Sequence, residues 1–260
     1  MKTKVILLLF VIIIFCSSCE EENTDIKRCS CLSDNNQTDR YTFPVHPGSI
    51  EWKGLKSHQE MVDACQIPKN ILKRMCTVGL IDTYLDYPLL FTIFAFNNTN
   101  EGLQQIKTEF NGFPELLKRD DCATLFLQKY KLIDPTSVKH MSDSVEIGFF
   151  MQRIRFFELT LGFEPLRNKF TQSECKTIIE VGLKNLEKKE ANNYGSFSLI
   201  TNIYLLAKIL ELEQDHSFLE YQKKNPHIGL FLKGNLIYFN YKKEHIPIKN
   251  ICQEYLKRTI

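Results

Sequence analysis

The chain has 260 residues, of which 43% are hydrophobic and 25% charged, as expected of a globular protein with a sizeable core. Its formal charge is +2, and two of its 33 basic residues, Lys2 and Lys4, lie at the extreme N-terminus. The other 31 are balanced by 31 acidic residues, so the charge gives no reason to expect a nucleic-acid partner.

Residues 1–18 have the pattern of a signal peptide. The two lysines precede an apolar run of 11 residues, which is too short for a transmembrane helix of about 20 residues. Ser17 and Ser18 then precede Cys19, and the combination resembles a bacterial lipobox, whose cysteine receives diacylglycerol and becomes the mature N-terminus. The usual leucine three residues before that cysteine is Cys16 here. We therefore expect Cys19 to carry a lipid that anchors the protein to a membrane.

An acidic run follows the expected lipidation site directly and consists of Glu20, Glu21 and Glu22. It resembles the export signal that sends Bacteroidetes lipoproteins to the outer face of the outer membrane. The alternative is that the three glutamates only keep a tether solvated. We expect an outer-membrane protein that faces the cell exterior, with residues 19–40 as a flexible polar tether, because this stretch has few large apolar side chains to bury.

Seven further cysteines are present: Cys29, Cys31, Cys65, Cys76, Cys122, Cys175 and Cys252. An exported protein can form disulfides, but an odd number leaves at least one thiol without a partner in the same chain. Cys65, Cys76, Cys122 and Cys175 stand in apolar helical patterns, which favours a role as small buried side chains. No Cys/His set has the spacing of zinc ligands, so we expect no metal and no cofactor.

Residues 41–260 predict a single α-helical domain, with 135–141 as the place where it would subdivide. In the first half, Ser57 with Glu60 has the form of a helix capping box, and Pro68 opens a second short helix. After Pro88 the run PLLFTIFAF is apolar on nearly all sides and predicts a buried central helix. Short helices separated by prolines suggest stacked armadillo- or HEAT-like hairpins, although no motif repeats.

The second half predicts longer helices. Thr171 with Glu174 forms a capping box, and SFSLITNIYLLAKILELEQ is long and apolar enough to cross a core. Two alternatives are open for 228–241: a short β-hairpin turning at Gly234-Asn235, or helical pieces. Pro247 would start a last amphipathic helix. The expected fold class is mainly α and irregular multi-helical, with a short C-terminal β-hairpin as the one β element considered.

The stretch from Tyr41 to about Lys131 contains FPVHPGSIEWKGLKSHQEMVDACQIP, LDYPLLFTIFAFNN and FNGFPELLKRDDC. These segments resemble a group of Bacteroidetes secreted proteins and lipoproteins of uncharacterised function. The resemblance covers the first third to half of the mature chain and points to the same phylum as the lipobox. It implies no activity and no site residues.

Candidates for catalysis are few. None of the six histidines stands in HExxH or at metal-pair spacing: His46, His58, His140, His216, His227 and His245. Ser173 and Lys176 match the bare S-x-x-K pattern of serine acyl-transfer enzymes, but the second serine motif and the K-T-G strand are absent. We therefore expect no catalytic residue.

Carboxylates and aromatic residues offer two weaker candidates. Asp82 and Asp86 stand four residues apart, which could pair them for acid–base work, but exposed helix faces carry such pairs routinely. Asp120 and Asp121 are better explained as helix-start residues. Four phenylalanines could line an aromatic ligand groove, although core packing is favoured: Phe94, Phe96, Phe110 and Phe113.

One modification signal is retained as a candidate. Asp143-Ser144-Val145 resembles the short O-glycosylation pattern of exported Bacteroidetes proteins, with Ser144 as the modified residue.

The sequence favours a lipid-anchored envelope protein that acts as a binding or interaction module for an unidentified protein or glycan. One alternative is an envelope enzyme whose active site is dispersed along the chain, and another is a protective lipoprotein that binds a toxin. A deep pocket with convergent His, Asp or Glu would favour the enzyme, whereas a shallow groove or apolar patch would favour binding.

Overall fold

The computed structural model describes residues 39–259, and within this range it contains helices and turns but no β-strand. The α-helices are α1 (Ile50–Gly54), α2 (His58–Ala64), α3 (Lys69–Leu72), α4 (Thr77–Leu85), α5 (Thr99–Glu109), α6 (Gly112–Lys118), α7 (Cys122–Lys131), α8 (Ser144–Gly162), α9 (Glu164–Arg167), α10 (Gln172–Ala191), α11 (Ser196–Leu212), α12 (His216–Lys224), α13 (His227–Leu232) and α14 (Tyr241–Arg258). Between them lie the 3₁₀ helices Leu90–Ala95, Pro135–His140 and Leu236–Tyr238. The expected mainly α, multi-helical fold is confirmed.

Local capping signals set several helix starts. Thr171 caps α10, and Glu174 bonds back to it, so the predicted capping box is present in full. Ser57 caps α2 by accepting a hydrogen bond from the Glu60 amide, but the Glu60 carboxylate accepts from the Lys56 amide at 2.7 Å, so the predicted capping box is only half formed. The prediction for Pro247 is wrong, because this proline lies inside α14 rather than at its start.

The β-hairpin considered for 228–241 is not formed. Gly234 has φ of +94° and ends α13 as a left-handed cap. The Asn235 amide donates to the Leu230 carbonyl at 3.2 Å, and the Gly234 amide donates to that of Phe231 at 2.8 Å. This pattern is a Schellman motif, so the Gly-Asn pair ends a helix where the sequence equally suggests a hairpin turn.

The buried central helix predicted after Pro88 is also wrong. The run forms the 3₁₀ helix Leu90–Ala95, in which Leu90 and Ile93 are buried while Phe91 is 51% exposed. Residues three apart share a face in a 3₁₀ helix, so the two buried side chains lie together and Phe91 points away from them. The segment therefore lies at the surface against α5.

The central helix of the fold is α11. Twelve of its side chains are buried, and α8, α10, α12, α13 and α14 all contact it. Gly182 lets α10 approach, since a Cβ at this position would lie 2.7 Å from Leu206 Cδ2. Because the helices surround one central helix, the arrangement is irregular multi-helical rather than an array in which each hairpin contacts only its neighbours.

Buried residues on both sides of 135–141 belong to one hydrophobic core. A hydrogen bond of 2.8 Å joins Tyr84 in α4 to Thr160 in α8, and the rings of Phe126 and Phe157 lie 5.9 Å apart. These contacts place the second half of α8 beside the end of α4 and beside α7. Of the helices in 39–259, none is both long and apolar enough to cross a membrane.

Candidate functional site

An open groove of about 350 Å³ lies between the 3₁₀ helix Leu90–Ala95 and the first half of α8. We call it the aromatic groove, and its apolar lining residues are Leu85, Phe91, Met141, Phe149, Phe150 and Phe156. Phe91 meets Phe156 edge to face, with ring centroids 5.2 Å apart and an interplanar angle of 87°. Aromatic side chains from two separate elements thus form one surface.

The groove is exposed because α8 extends beyond the helices that pack against it. Val145 and Phe149, one turn apart, are 60% and 63% exposed, whereas α8 is largely buried from Gln152 onward. Single exposed apolar residues are common on protein surfaces, but a contiguous apolar patch indicates an interaction site.

Salt bridges hold Asp86 and Arg153, two of the three charged residues that line the groove. Arg153 binds both candidate carboxylates, with its NH1 atom 2.7 Å from Asp86 Oδ1 and its NH2 atom 3.1 Å from Asp82 Oδ1. Lys129 Nζ lies 2.8 Å from Asp82, and Arg40 Nε lies 2.7 Å from Asp86. The structure therefore brings Asp82 and Asp86 together, but each is engaged in salt bridges with two basic side chains, as structural carboxylates are.

A second cleft of about 310 Å³ lies on the other side of Arg153. It shares Phe150 and Arg153 with the aromatic groove, and its rim carries Leu132, which is 83% exposed. The apolar surface thus continues past the salt-bridge network.

A larger hollow of about 410 Å³ has walls that are about equally polar and apolar, and three of its polar side chains stabilise the fold. Asn98 caps α5, Asn100 Oδ1 accepts a hydrogen bond from Tyr204 at 2.9 Å, and Lys208 Nζ donates to Glu211 at 2.6 Å. These three side chains already have protein partners, and the hollow presents no exposed aromatic surface, so it is a weaker candidate than the aromatic groove.

A fully buried ion pair lies behind the groove and was not anticipated from the sequence. Glu158 Oε1 is 2.5 Å from Lys189 Nζ, and neither side chain has exposed surface. Thr201 donates to Glu158 Oε2 at 2.7 Å and Asn202 donates to Oε1 at 2.9 Å, while Lys189 also donates to the Ser198 carbonyl at 3.0 Å. Burial lowers the pKa of Lys189, and the charge of Glu158 opposes that effect. The one sign of this ion pair in the sequence is Glu158 itself, a single glutamate inside the apolar run FFELTLG.

Histidine–carboxylate pairs form between residues distant in sequence. His58 Nε2 lies 2.9 Å from Glu109, and His227 Nε2 lies 2.5 Å from Glu244. Each is a pair rather than a cluster, and within 39–259 no group of three His, Cys, Asp or Glu side chains could hold a metal ion.

The other sequence candidates have structural contacts. Lys176 Nζ donates to the Thr259 carbonyl at 3.1 Å and so ties α10 to the end of α14. The hydrogen bond of this lysine is therefore a structural contact and not one with Ser173 of the S-x-x-K pattern. Asp121 accepts a hydrogen bond from Thr77 at 2.8 Å and joins α7 to α4. Phe110 and Phe113 are fully buried in the core, as favoured, whereas Phe94 stacks on Phe156 beneath the aromatic groove.

The four cysteines that stand in apolar helical patterns are all buried, as favoured: Cys65, Cys76, Cys122 and Cys175. Burial raises the pKa of Cys65 to about 11 and that of Cys122 and Cys175 to about 12, which keeps these thiols protonated and unreactive. The Cys76 amide donates to Asp39 Oδ2 at 2.6 Å, so this cysteine helps to fix the start of the described chain.

The predicted lipidation site Cys19 and the export residues Glu20, Glu21 and Glu22 lie outside the described residues. Ser144 lies within them as the exposed first residue of α8, beside the capping residue Asp143. This position leaves its hydroxyl accessible to a modifying enzyme.

Comparison with protein-family models, with curated proteins and with solved structures finds no match for this chain. Functional inference therefore depends on the groove and on the N-terminal sequence.

Proposed function

We propose that the protein is a lipid-anchored binding module of the outer membrane, facing the cell exterior, and that it binds its ligand through the aromatic groove. One observation carries the binding role: exposed aromatic side chains from two elements form a contiguous groove. Burying such side chains against a ligand removes apolar surface from water, at about 25 cal/mol per Å². The location rests on the lipobox at Cys19 and the acidic run behind it.

Binding is favoured over catalysis by the state of the charged groups. Asp82 and Asp86 are both engaged in salt bridges with Arg153, Lys129 and Arg40, an arrangement typical of structural rather than catalytic carboxylates. An enzyme with a dispersed active site is the alternative. It is less well supported than binding, because the carboxylates at the groove are paired with basic side chains. A toxin-binding protective role would use the same apolar surface, but no separate feature of the structure favours it.

Replacing Cys19 with alanine (Cys19→Ala) is expected to move the protein from the membrane fraction to the soluble fraction or to block its processing. The physical reason is that the acyl chains on this sulfur and on the new N-terminus provide the membrane affinity. Fractionation of cells followed by immunoblotting measures the distribution. Cys16→Ala is the matched control, because Cys16 belongs to the discarded leader and its loss should leave the anchor intact.

If the Cys19→Ala protein is processed normally and remains in the membrane fraction, the lipobox interpretation fails. The export signal is tested in the same cells by replacing Glu20, Glu21 and Glu22 with alanine. Protease added to intact cells should then no longer degrade the protein, whereas unchanged degradation would contradict display on the exterior.

A further inference from the structure

The chain from α13 to the start of α14 folds into one compact unit. The rings of Phe231 and Phe239 stack with their centroids 4.3 Å apart, which packs α13 against the residues that follow the last 3₁₀ helix. Glu244 Oε1 in α14 lies 2.5 Å from His227 Nε2 at the start of α13, and Glu244 Oε2 accepts a hydrogen bond of 2.7 Å from the Asn240 amide. Because these contacts hold the unit from within, the side chains on its outside form a defined surface.

Apolar side chains are concentrated on the outside of this unit. Four of the ten exposed large hydrophobic side chains of residues 39–259 lie between 230 and 246. They are Leu230 in α13, Ile237 and Tyr238 in the 3₁₀ helix, and Ile246 in α14. Ile237 is 88% exposed, the largest fraction among these ten residues. Single exposed apolar residues need no explanation, but a cluster of them indicates a surface that a partner covers.

The same outside surface is basic. Residues 221–250 contain six lysines and one carboxylate, although the whole chain has 33 basic and 31 acidic residues. That one carboxylate, Glu244, is buried in the contacts described above. Lys249 is paired with Glu187 and Glu190. The other five lysines are exposed and have no carboxylate within salt-bridge distance among the described residues: Lys223, Lys224, Lys233, Lys242 and Lys243.

Cations and apolar side chains alternate along this surface. Lys233 is four residues from Ile237, and Lys242 is four residues from Tyr238, so the Cα atoms of each pair are at most about 14 Å apart. Lys242 also lies one turn before Ile246 on the same side of α14. The charges and the apolar side chains can therefore meet one partner at the same time. We call the five exposed lysines and the four exposed apolar residues together the basic tip.

We propose that the basic tip docks onto an anionic lipid surface. Ile237 and Tyr238 enter the headgroup region, where an aliphatic side chain and a tyrosine ring with its hydroxyl at the water boundary are both stabilised. The lysine ammonium groups contact the lipid phosphates, and each lysine beside an anionic membrane strengthens binding about fivefold. This inference takes from the proposed function only the membrane location, and it concerns a surface other than the aromatic groove.

Three features favour lipid over a nucleic acid or an acidic protein. All five cations are lysines, which act as point charges on flexible stems, whereas arginine is the preferred residue for nucleic-acid recognition and for ion pairs in protein interfaces. The most exposed side chain, Ile237, is aliphatic, so it offers nothing to a phosphate backbone but is stabilised when it leaves water. The basic tip lines none of the three hollows described above, as expected of a surface that meets a broad and fluid partner.

The test uses the full lipidated protein reconstituted in two kinds of vesicle, one of phosphatidylcholine alone and one in which about a third of the lipid is phosphatidylglycerol. Amide hydrogen exchange is followed by mass spectrometry in both. We expect exchange across 233–243 to be at least about fivefold slower on the anionic vesicles, the factor that one lysine contributes at such a surface. The peptide containing Ile50, which is 84% exposed and lies in the first half of the chain, should exchange equally on both. Equal rates across 233–243 on the two vesicles overturn the proposal.

Two variants examine the charges and the apolar side chain separately. Lys242→Glu combined with Lys243→Glu reverses two charges in the first turn of α14, where the helix dipole favours glutamate, so the fold should be kept. Ile237→Asn replaces the exposed aliphatic side chain with a polar one. In each variant the ratio of the exchange rates on the two vesicles should fall at least about fivefold towards one, because a charge attraction or an apolar contact is lost.

Matched controls carry the same changes elsewhere. Lys69→Glu combined with Lys73→Glu reverses two exposed charges near α3, and Ile50→Asn alters an equally exposed isoleucine. Both should leave the ratio across 233–243 unchanged. A ratio that falls as much in these controls as in the variants of the basic tip overturns the assignment of docking to this surface.

A nucleic-acid partner is tested by adding a short DNA duplex to the protein on phosphatidylcholine vesicles. Exchange across 233–243 that slows with the duplex but not on the anionic vesicles overturns the proposal in favour of a nucleic acid. Failure of anchoring is seen separately, as protein that does not float with phosphatidylcholine vesicles. In that case, flotation with the anionic vesicles that is lost in Lys242→Glu combined with Lys243→Glu still supports docking, and no flotation with either vesicle overturns it.

Discussion

Replacing Glu158 with glutamine (Glu158→Gln) is expected to lower the free energy of unfolding by about 3–5 kcal/mol, the usual cost of leaving a buried charge without its partner. Glu158 and Lys189 are both fully buried, so no water can replace the lost carboxylate. Glutamine keeps the shape of the side chain, which separates the loss of charge from the loss of packing. Urea unfolding of the wild-type protein and the variant measures the difference.

A double-mutant cycle shows whether the loss belongs to the pair. Because the two charges compensate each other, Glu158→Gln combined with Lys189→Met should cost less than the sum of the two single changes. Additive losses would contradict a coupled ion pair. Glu187→Gln is the control, since Glu187 is 60% exposed and lies 3.4 Å from Lys249; it should change the unfolding free energy by less than about 0.5 kcal/mol.

The pH dependence of the Glu158→Gln variant follows from the pKa of Lys189, which burial lowers below its ordinary value of 10.5. Without the charge of Glu158 this pKa falls further, because that charge opposes the effect of burial. The unfolded state then binds more protons than the folded state between the two pKa values, so stability in that window rises with pH. The wild type gains stability in the same way above its own, higher Lys189 pKa, so the deficit of the variant should shrink between the Lys189 pKa of the variant and that of the wild type and stay constant above both.

Replacing Gly102 with alanine (Gly102→Ala) is expected to destabilise the protein by about 1–3 kcal/mol through overpacking. A Cβ at this position would lie 2.4 Å from the carbonyl oxygen and 2.6 Å from the Cα of Ile93. These are backbone atoms of the 3₁₀ helix Leu90–Ala95, so the whole segment that carries Phe91 must move away from α5. Urea unfolding measures the loss, and faster amide hydrogen exchange across 90–95 should accompany it.

Gly148→Ala is the matched control for Gly102→Ala. Gly148 also lies inside a helix, α8, but a Cβ there would meet no atom within 4 Å. Alanine is favoured over glycine in a helix interior by about 1 kcal/mol, so this variant should be neutral or more stable. Equal losses from both variants would contradict the close approach of α5 and the 3₁₀ helix as the cause.

Helix starts could be predicted from the sequence wherever a short-range hydrogen bond determines them. The capping box of Thr171 and Glu174 is an example, because both partners lie within one turn and need no tertiary context. The mainly α fold follows from the same local signals combined with apolar periodicity.

Segments whose conformation depends on distant contacts could not be predicted. The 3₁₀ helix Leu90–Ala95 is held at the surface by its packing on α5, where Gly102 leaves room for its backbone. Gly234 could close a hairpin or end a helix, and its carbonyl accepts a hydrogen bond of 3.0 Å from the Thr99 amide, far away in the sequence. Local composition cannot distinguish such alternatives.

The candidate site was only partly visible in the sequence. The spacing of Asp82 and Asp86 indicated a carboxylate pair, but Arg153, their shared partner, follows them by about 70 residues, so the neutralised state could not be foreseen. Exposure of Phe149 depends on α8 extending past its neighbours, which a helical pattern alone does not show.

The most direct test of the central claim, lipid anchoring through Cys19, is the mass of the N-terminal peptide of the protein purified from membranes. The account predicts that this peptide begins at Cys19, followed by Glu20, and that it carries the added mass of diacylglycerol on the cysteine. A mature chain that begins at another residue, or a Cys19 that carries no lipid, would contradict it.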